Sequence, residues 1–222
     1  LGVVSPLGIG ADASWSALLR GESGVRGVTD EAVVGSADSG PLARLSSRVA
    51  GVVPGFDPRE HAGPGADARS MGRFTLFALS AATDALRSAG LLPGGSSSSS
   101  NAAEEGRDRE GPFGLAGDDS DRVGVAIGSG IGSLSDITAA WATLEGRGTA
   151  KLSPYFVPKI LVNMPAGQVA LRHGLRGPQL APSTACATGA HAIGDAFRCI
   201  ALAGDADAML AGATEASVDR LS

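Results

Sequence analysis

Aromatic residues and cysteines are scarce in this sequence. Phe, Trp and Tyr make up 4% of the 222 residues, and the only cysteines are Cys186 and Cys199. A core must therefore be built mainly from Ala, Val, Leu and Ile, within a hydrophobic fraction of 43%. Two cysteines on one predicted element are a poor disulfide framework, which indicates a reducing compartment.

Long apolar runs and basic stripes are also missing. No run is long enough to predict a membrane span, which takes about 20 apolar residues. The formal net charge is −5, and no basic stripe with interleaved aromatics occurs, so nucleic-acid binding has no support. The chain begins at Leu1 without a methionine and stops at Ser222. We interpret both ends as cuts, so the lack of a targeting segment carries no information.

Strands alternate with helices along the chain. The clearest helix is predicted over 70–89, with apolar residues around most of its circumference, and the clearest strand over 123–127. A helix over 12–20 is predicted to begin at an Asp12 cap and to bury Trp15, Leu18 and Leu19. This alternation predicts the α/β class, with a parallel or mixed sheet covered on both faces.

Weaker patterns place the remaining elements. The predicted strands are 47–53, 180–184 and 206–211, and the predicted helices are 133–145, 157–172 with an interruption at Pro165, and 186–203. The stretch 93–121 differs, because it holds a serine run, many glycines and clustered charges. It buries too little to offset its ordering entropy, so we predict a flexible surface insertion within one domain spanning 1–222.

Cys186 is the main candidate for chemistry. It lies in Pro-Ser-Thr-Ala-Cys-Ala-Thr-Gly-Ala, residues 182–190, where a predicted short strand turns into a helix. Such a corner projects one side chain at a helix amino terminus, as a nucleophile elbow does. Unpaired N–H groups there favour a reactive thiolate. A buried structural cysteine is the alternative, and these residues alone leave both open.

The other cysteine and the three histidines give weaker signals. Cys199 lies inside the same helix and is predicted to be structural. His61 and His173 have no sequence argument for pairing with Cys186, and His191, five residues after it, points to another side of the helix. The spacing also fits no zinc site, so we predict no metal.

Two further motifs have structural interpretations. The run Gly-Ser-Gly-Ile-Gly over 128–132 follows a strand and invites a phosphate-loop interpretation. However, Ser133 replaces the last glycine of G-x-G-x-x-G, and the Walker Lys-Ser/Thr pair is absent. A turn that needs close backbone approach is the better interpretation. Asp205 and Asp207 precede a strand and are predicted to form a turn.

Several stretches of the chain resemble the elongating β-ketoacyl-[acyl-carrier-protein] synthases. They are residues 2–8, 123–132, 151–172, 175–178, 183–191 and 204–207. Together they cover most of the chain apart from 21–69 and 93–121. The motif Val-Pro-Lys-Ile-Leu-Val-Asn-Met at 157–164 is similar in particular to the mitochondrial form of these synthases.

The resemblance implies a thiolase-like α/β/α/β/α layered fold, of which this chain carries mainly the amino-terminal half, and a homodimer. It implies that Cys186 takes an acyl chain from acyl carrier protein as a thioester, which then condenses with decarboxylated malonyl-carrier protein. Ile131 is implied to line the acyl pocket and Phe156 to lie near it at the dimer contact. Lys151 is implied to contact the acidic carrier protein. No cofactor is implied, and the mitochondrial matrix is the expected location.

The sequence also departs from the family pattern. The resemblance implies that the backbone N–H of Cys186 is one oxyanion donor. The second donor, and two histidines and a lysine of the family's active site, belong to its second half, beyond Ser222. We therefore expect these 222 residues alone to have no catalytic activity. Pro182 removes a ladder hydrogen bond from the short strand that, in the family, lies at the dimer contact.

Two alternatives stay open beside the condensing enzyme. A non-catalytic, chain-length-type partner subunit would only shape a pocket, and the presence of Cys186 argues against it. A thiolase-like enzyme that uses coenzyme A is the other alternative. The sequence over 151–164 argues against it, because it resembles the synthases that use acyl carrier protein.

Overall fold

The computed structural model describes residues 1–28, 47–92 and 119–219. In this part the strands are β1 Val4–Ser5, β2 Gly8–Ile9, β3 Val25–Gly27, β4 Val49–Gly51, β5 Val123–Gly128, β6 Gln179–Leu180 and β7 Ala208–Ala213. The α-helices are α1 Ala11–Leu19, α2 Pro58–His61, α3 Arg73–Ser88, α4 Leu134–Arg147, α5 Phe156–Ile160, α6 Met164–His173 and α7 Thr188–Phe197. Short 3-10 turns lie at Asp119–Arg122, Thr149–Lys151 and Ala185–Ala187, and a π-helical turn, Arg198–Ala203, continues α7.

A parallel three-stranded sheet of order β6-β5-β7 forms the centre of the fold. β5 pairs with β7 over its whole length, from Val123 opposite Ala208 to Gly128 opposite Ala213. All six residues of β5 are buried, as expected for a central strand with helices on both faces. The antiparallel pairs β1–β2 and β3–β4 lie outside this sheet.

Alternate residues of β5 contact different helix layers. The side chains at 123, 125 and 127 belong to the core formed with α3 and α6. Ala126 packs instead with Ala192 and Ala196 of α7. Because successive side chains of a strand point to opposite faces, α3 and α6 cover one face of the sheet and α7 covers the other. The predicted α/β class is confirmed.

α3 is the buried helix that the periodicity predicted over 70–89. Its side chains from Phe74 to Ser80 are all buried, with Phe74 and Leu79 fully so. Burying a side chain of this size contributes about 2 kcal/mol each. The helix is capped at Ala89, and Gly90 follows with a φ of +72°, the left-handed conformation that ends many helices.

The predicted buried face of α1 is wrong. Trp15, Leu18 and Leu19 are 60%, 55% and 70% exposed, and only Ala17 is buried. The helix packs mainly on the small β1–β2 hairpin. The side chain that faces Gly8 of β2 there is the short Ala13, and the three bulky side chains lie outside this contact. Asp12 lies in the first turn, and Gly10 is the cap.

Other helix and strand boundaries differ from the predicted ones at positions where a proline or strand pairing determines them. Pro165 lies in the first turn of α6, where its missing N–H costs nothing, and the helical break falls at 161–163 instead. The strand predicted over 180–184 is only Gln179–Leu180, because Pro182 cannot donate to a ladder. β7 continues through Gly212 to Ala213 because its whole length pairs with β5.

The remaining predicted elements lie close to their expected places. β4 falls within 47–53, α4 overlaps 133–145, and a 3-10 turn, α7 and a π turn together fill 186–203. Residues 93–118 of the predicted insertion lie outside the described residues, and 119–121 belong to a 3-10 turn. None of the helices in the described ranges has the length and hydropathy needed to cross a bilayer.

His173 joins α6 to α3 through a side-chain hydrogen bond. Its Nε2 atom lies 3.2 Å from Thr83 Oγ1, whose hydroxyl donates to the Leu79 carbonyl at 2.8 Å. Because that hydroxyl proton is already used, the His173 Nε2–H group is the donor. Burial, and then the positive charges of Arg172 and Arg87, lower the pKa of His173 to about 4.

This depressed pKa predicts a pH-dependent stability. The unfolded histidine, with a pKa near 6.5, binds a proton before the folded one does. The stabilisation is therefore fully present above about pH 6.5 and is lost as the pH falls to about 4. Because His173 is only half-buried, we expect a loss of ~1–2 kcal/mol after solvent screening.

The measurement is urea unfolding at a series of pH values. His173→Gln keeps an N–H donor for Thr83 but does not titrate, so its stability should fall less steeply than the wild type between pH 6.5 and 4. Parallel pH profiles for the two proteins would contradict the assignment.

Candidate active site

Cys186 lies at the corner between β6 and α7. After Leu180 the chain runs through 181–184 into the 3-10 turn Ala185–Ala187, and α7 begins at the next residue. Ala185 has a φ of +51° and is the only non-glycine residue with positive φ in the described part. A left-handed alanine costs roughly 1 kcal/mol, so the surrounding contacts must impose this conformation. The Cys186 thiol is exposed, which does not fit a buried structural cysteine.

Thr188 holds the corner closed. Its hydroxyl donates to the Ala185 carbonyl at 2.7 Å and accepts from the Thr184 N–H at 2.9 Å. The Thr188 side chain is buried, whereas Thr184 and Ala185 are exposed, so both hydrogen bonds are partly shielded from water. A single threonine thereby connects the residues on either side of Cys186.

The glycine-rich loop after β5 packs its backbone against this corner. A Cβ atom on Gly128 would lie 1.8 Å from the Pro182 carbonyl oxygen and 2.6 Å from Thr188 Cγ2. A Cβ atom on Gly130 would lie 3.2 Å from the Cα of Ala185. The prediction that these glycines serve close backbone approach is confirmed.

Glu215 occupies the N–H groups of the same loop. Its Oε2 atom accepts from Gly130 N–H at 2.9 Å and from Ile131 N–H at 3.2 Å, and its Oε1 accepts from Ser129 Oγ at 3.2 Å. The donors that a phosphate would need are therefore already used by the protein's own carboxylate. This arrangement excludes the phosphate-loop interpretation.

Sequence reasoning missed Glu215, although a signal was available. The residue follows β7, and the loop follows β5. These strands are parallel neighbours, so the segments after them meet at one edge of the sheet. A carboxylate directly after one strand was thus a candidate partner for the glycine-rich turn after the other.

The structure brings α5 next to the loop. A Cβ atom on Gly132 would lie 2.6 Å from the carbonyl oxygen of Ile160, at the end of α5. Phe156, at the start of this helix, is half-buried, and Ile131 is 50% exposed in the loop. Lys151 is exposed, and no side-chain hydrogen bond or ion pair in the described part joins it to the corner.

An ion pair fixes α5 to α4. Lys159 Nζ lies 2.6 Å from Asp136 Oδ1, and both side chains are about four-fifths buried. Asp136 also accepts a hydrogen bond from Ser133, the N-cap residue of α4, at 2.7 Å. The helix that carries Phe156 is thereby held beside the residues that follow the glycine-rich loop.

The histidines contact other groups. His61 Nδ1 lies 2.9 Å from the Asp57 carbonyl and His173 contacts Thr83, while His191 is exposed. In the described ranges none of them is hydrogen-bonded to Cys186. No cluster of three metal-ligating side chains occurs there either.

The remaining candidates occupy structural positions. Cys199 is half-buried in the π turn, and its carbonyl accepts from the Asp205 N–H at 2.9 Å. Asp207 accepts two hydrogen bonds from Arg122, at 2.7 and 2.8 Å, which joins the segment before β7 to the start of β5. Both aspartates thus lie in the connection that leads into the last strand.

Comparison with known proteins gives a consistent result. The family model for the β-ketoacyl synthase N-terminal domain matches residues 1–222. The mitochondrial 3-oxoacyl-[acyl-carrier-protein] synthase of Arabidopsis thaliana is 42% identical over 229 residues, covering 100% of this chain and 45% of its own length. The 3-oxoacyl-[acyl-carrier-protein] synthase 2 of Rhizobium meliloti is 40% identical over 225 residues, covering 100% and 47%.

A solved structure shows the same likeness. The ishigamide ketosynthase/chain length factor matches with a TM-score of 0.69 and 26% identity, over 96% of this chain and 50% of the other. This likeness confirms the predicted thiolase-like fold. The chain spans about half the length of the curated relatives it matches.

The contact at Gly128 predicts a specific sensitivity. In Gly128→Ala the new methyl group meets a backbone carbonyl, so the corner must move, and we expect a loss of about 2–3 kcal/mol in unfolding free energy. Gly146→Ala in α4 is the matched control, because its Cβ meets nothing within 4 Å. The control should be neutral or stabilised by up to about 1 kcal/mol. Equal stabilities in urea unfolding would contradict the close packing.

The carboxylate at 215 gives a second prediction. In Glu215→Ala the N–H groups of Gly130 and Ile131 lose their acceptor, so we expect faster amide hydrogen exchange at both and a stability loss of ~1 kcal/mol. Glu145→Ala, an exposed position on α4, is the control and should change neither. Unchanged exchange at the two amides in Glu215→Ala would refute the loop-holding role.

Proposed function

We propose that this chain, which belongs to the β-ketoacyl synthase family, supplies the nucleophile of an enzyme that extends acyl chains on acyl carrier protein. The observation that supports this most is the exposed thiol of Cys186 at the left-handed Ala185 corner, directly before α7. The names of its relatives, 3-oxoacyl-[acyl-carrier-protein] synthases, support the same reaction.

The proposed reaction has two stages on one sulfur atom. The Cys186 thiolate attacks the thioester carbonyl carbon of an acyl-carrier protein, a bond forms from carbon to Cys186 Sγ, and the carrier's thiol leaves. Malonyl-carrier protein then loses carbon dioxide, and the resulting carbanion attacks the Cys186-bound carbonyl. A carbon–carbon bond forms, the thiolate leaves, and the β-ketoacyl chain remains on the carrier.

The corner supports both stages. α7 begins directly after the 3-10 turn that holds Cys186, so the positive end of its dipole lies beside the sulfur. The same turn presents the Cys186 N–H as one oxyanion donor for the tetrahedral intermediate, the role inferred from the family resemblance. Because Thr188 and the glycine-rich loop fix the turn, the thiol would need little reorganisation before attack.

The neighbouring residues would shape the substrate site. Ile131 stands half exposed in the loop that Glu215 holds, where it would line the acyl pocket. Phe156 begins α5, close to the same loop, and would lie near the pocket at the contact between two copies of the chain. Lys151 is exposed and would attract the acidic carrier protein.

The proposal includes the second half of the thiolase-like fold and a homodimer of the full-length protein. The outer face of α7 exposes Ile193 and Phe197, each by about three-fifths, which is unusual for large apolar side chains. Curated relatives are about twice as long, and the thiolase-like second half would cover this face. That half would also bring the family's two histidines and lysine to Cys186. The mitochondrial matrix is the proposed location, on the likeness to the Arabidopsis relative.

The acyl-acceptor role is tested by thiol substitution in the full-length protein. Wild type incubated with acyl-carrier protein should gain the mass of one acyl group, located by peptide mass spectrometry on the peptide that contains Cys186. Cys186→Ser should lose condensation by ~10³-fold or more, whereas Cys199→Ser should keep it within about two-fold.

Three results would reject parts of the proposal. Acylation that survives Cys186→Ser would remove the nucleophile. A wild type that folds but never gains an acyl group would favour the non-catalytic partner subunit. Faster acylation from acyl-coenzyme A than from acyl-carrier protein would favour the coenzyme-A-dependent alternative.

A further inference from the structure

A cavity of about 300 Å³ lies between α2, α3 and α6. Its polar lining consists of Glu60, His61, Thr83, Arg87, Arg172 and His173. α3 and α6 cover the face of the sheet opposite to α7, so the cavity and the Cys186 corner lie in different layers of the fold. None of the residues that build the corner lines the cavity.

Two guanidinium groups in this cavity have unused hydrogen-bonding capacity. Arg172 donates to the Ala62 carbonyl and forms no ion pair with any carboxylate of the described residues. Arg87 lies 3.4 Å from Asp84 on its own helix, a long and exposed contact. A guanidinium has five N–H donors in a planar fork suited to carboxylate and phosphate groups, so most of these donors are available.

Two positive charges act on one residue of the cavity lining, His173. The charges of Arg172 and Arg87 both act on His173, where, after burial, they disfavour the imidazolium form and lower its pKa. Both charges therefore reach the same point of the lining. A bound anion would gain from the two together, and the half-buried position of Arg172 limits screening by solvent.

The carboxylate of Glu60 is the single acidic group of the cavity lining. It is exposed on α2 and forms no ion pair with either guanidinium in the described part of the chain. Glu60 therefore occupies neither guanidinium group, and its negative charge repels an incoming anion. Removing its charge should strengthen anion binding, which offers a gain-of-affinity test.

We propose that this cavity binds a small organic oxyanion, with the guanidinium groups of Arg87 and Arg172 as the principal donors to a phosphate or carboxylate group. The Thr83 and His173 side chains would form the polar wall beside it. A cavity of about 300 Å³ is roughly ten times the volume that one water molecule occupies in the liquid, so it has room for more than a bare phosphate ion.

The test is calorimetric titration of the full-length protein at constant ionic strength. The probes are inorganic phosphate, glycerol phosphate and succinate, with chloride as the balancing ion. We expect saturable binding of one anion per chain. Tighter binding of glycerol phosphate than of succinate would identify a phosphate ester as the source of the oxyanion, and the reverse order would identify a carboxylate.

Four variants connect the binding to the cavity. Arg87→Gln should weaken binding at least about five-fold, and Glu60→Gln should tighten it about three-fold. Arg172→Lys keeps the charge but loses the planar fork, so it should also weaken binding. Arg69→Gln is the matched control, because this exposed arginine pairs with Asp67 two positions away and lies outside the cavity.

Two results would overturn the proposal. One is the absence of saturable binding for all three probes in folded wild-type protein. The other is binding that Glu60→Gln leaves unchanged and that Arg87→Gln affects no more than Arg69→Gln does. Because Glu60→Gln is expected to gain affinity, misfolding of another variant cannot hide this outcome.

Discussion

A side chain at Gly128 would collide with the Pro182 carbonyl and with Thr188, and this lack of space governs the whole site. The glycine-rich loop can approach the Cys186 corner only because two backbones meet without side chains between them. The buried Thr188 hydroxyl stabilises the corner through its hydrogen bonds to Thr184 and Ala185. The left-handed conformation before Cys186 is imposed by these contacts, and the thiol is exposed at a fixed point as a result.

The central strand divides the molecule into two chemical environments. On one face of β5 lie α3 and α6, with the larger buried side chains and the arginine-lined cavity. On the other face the buried hydrophobic side chains between β5 and α7 are alanines, which brings α7 close to the sheet. This close packing places the start of α7 beside the end of β5, where the glycine-rich loop begins. A chain poor in aromatics thus uses its small residues at the site itself.

Prediction from the sequence succeeded where a local pattern is enough. Apolar periodicity is sufficient for α3, and a short apolar run before glycines is sufficient for β5. It failed for the exposed side of α1, because helical spacing shows that a stripe exists but not which neighbour covers it. It also misplaced the break near Pro165, since a proline ends one helix or begins the next with equal ease.

The sequence by itself determined the α/β class, the strand-to-helix corner and the candidate nucleophile, because each depends on residues adjacent in the chain. Only the tertiary structure decided which distant groups complete the site. Glu215 reaches the glycine-rich loop because two parallel strands end at one edge, and Arg87 and Arg172 share a cavity because α3 packs on α6. Contacts between residues far apart in sequence leave no local pattern, so their partners emerge only when the chain is folded.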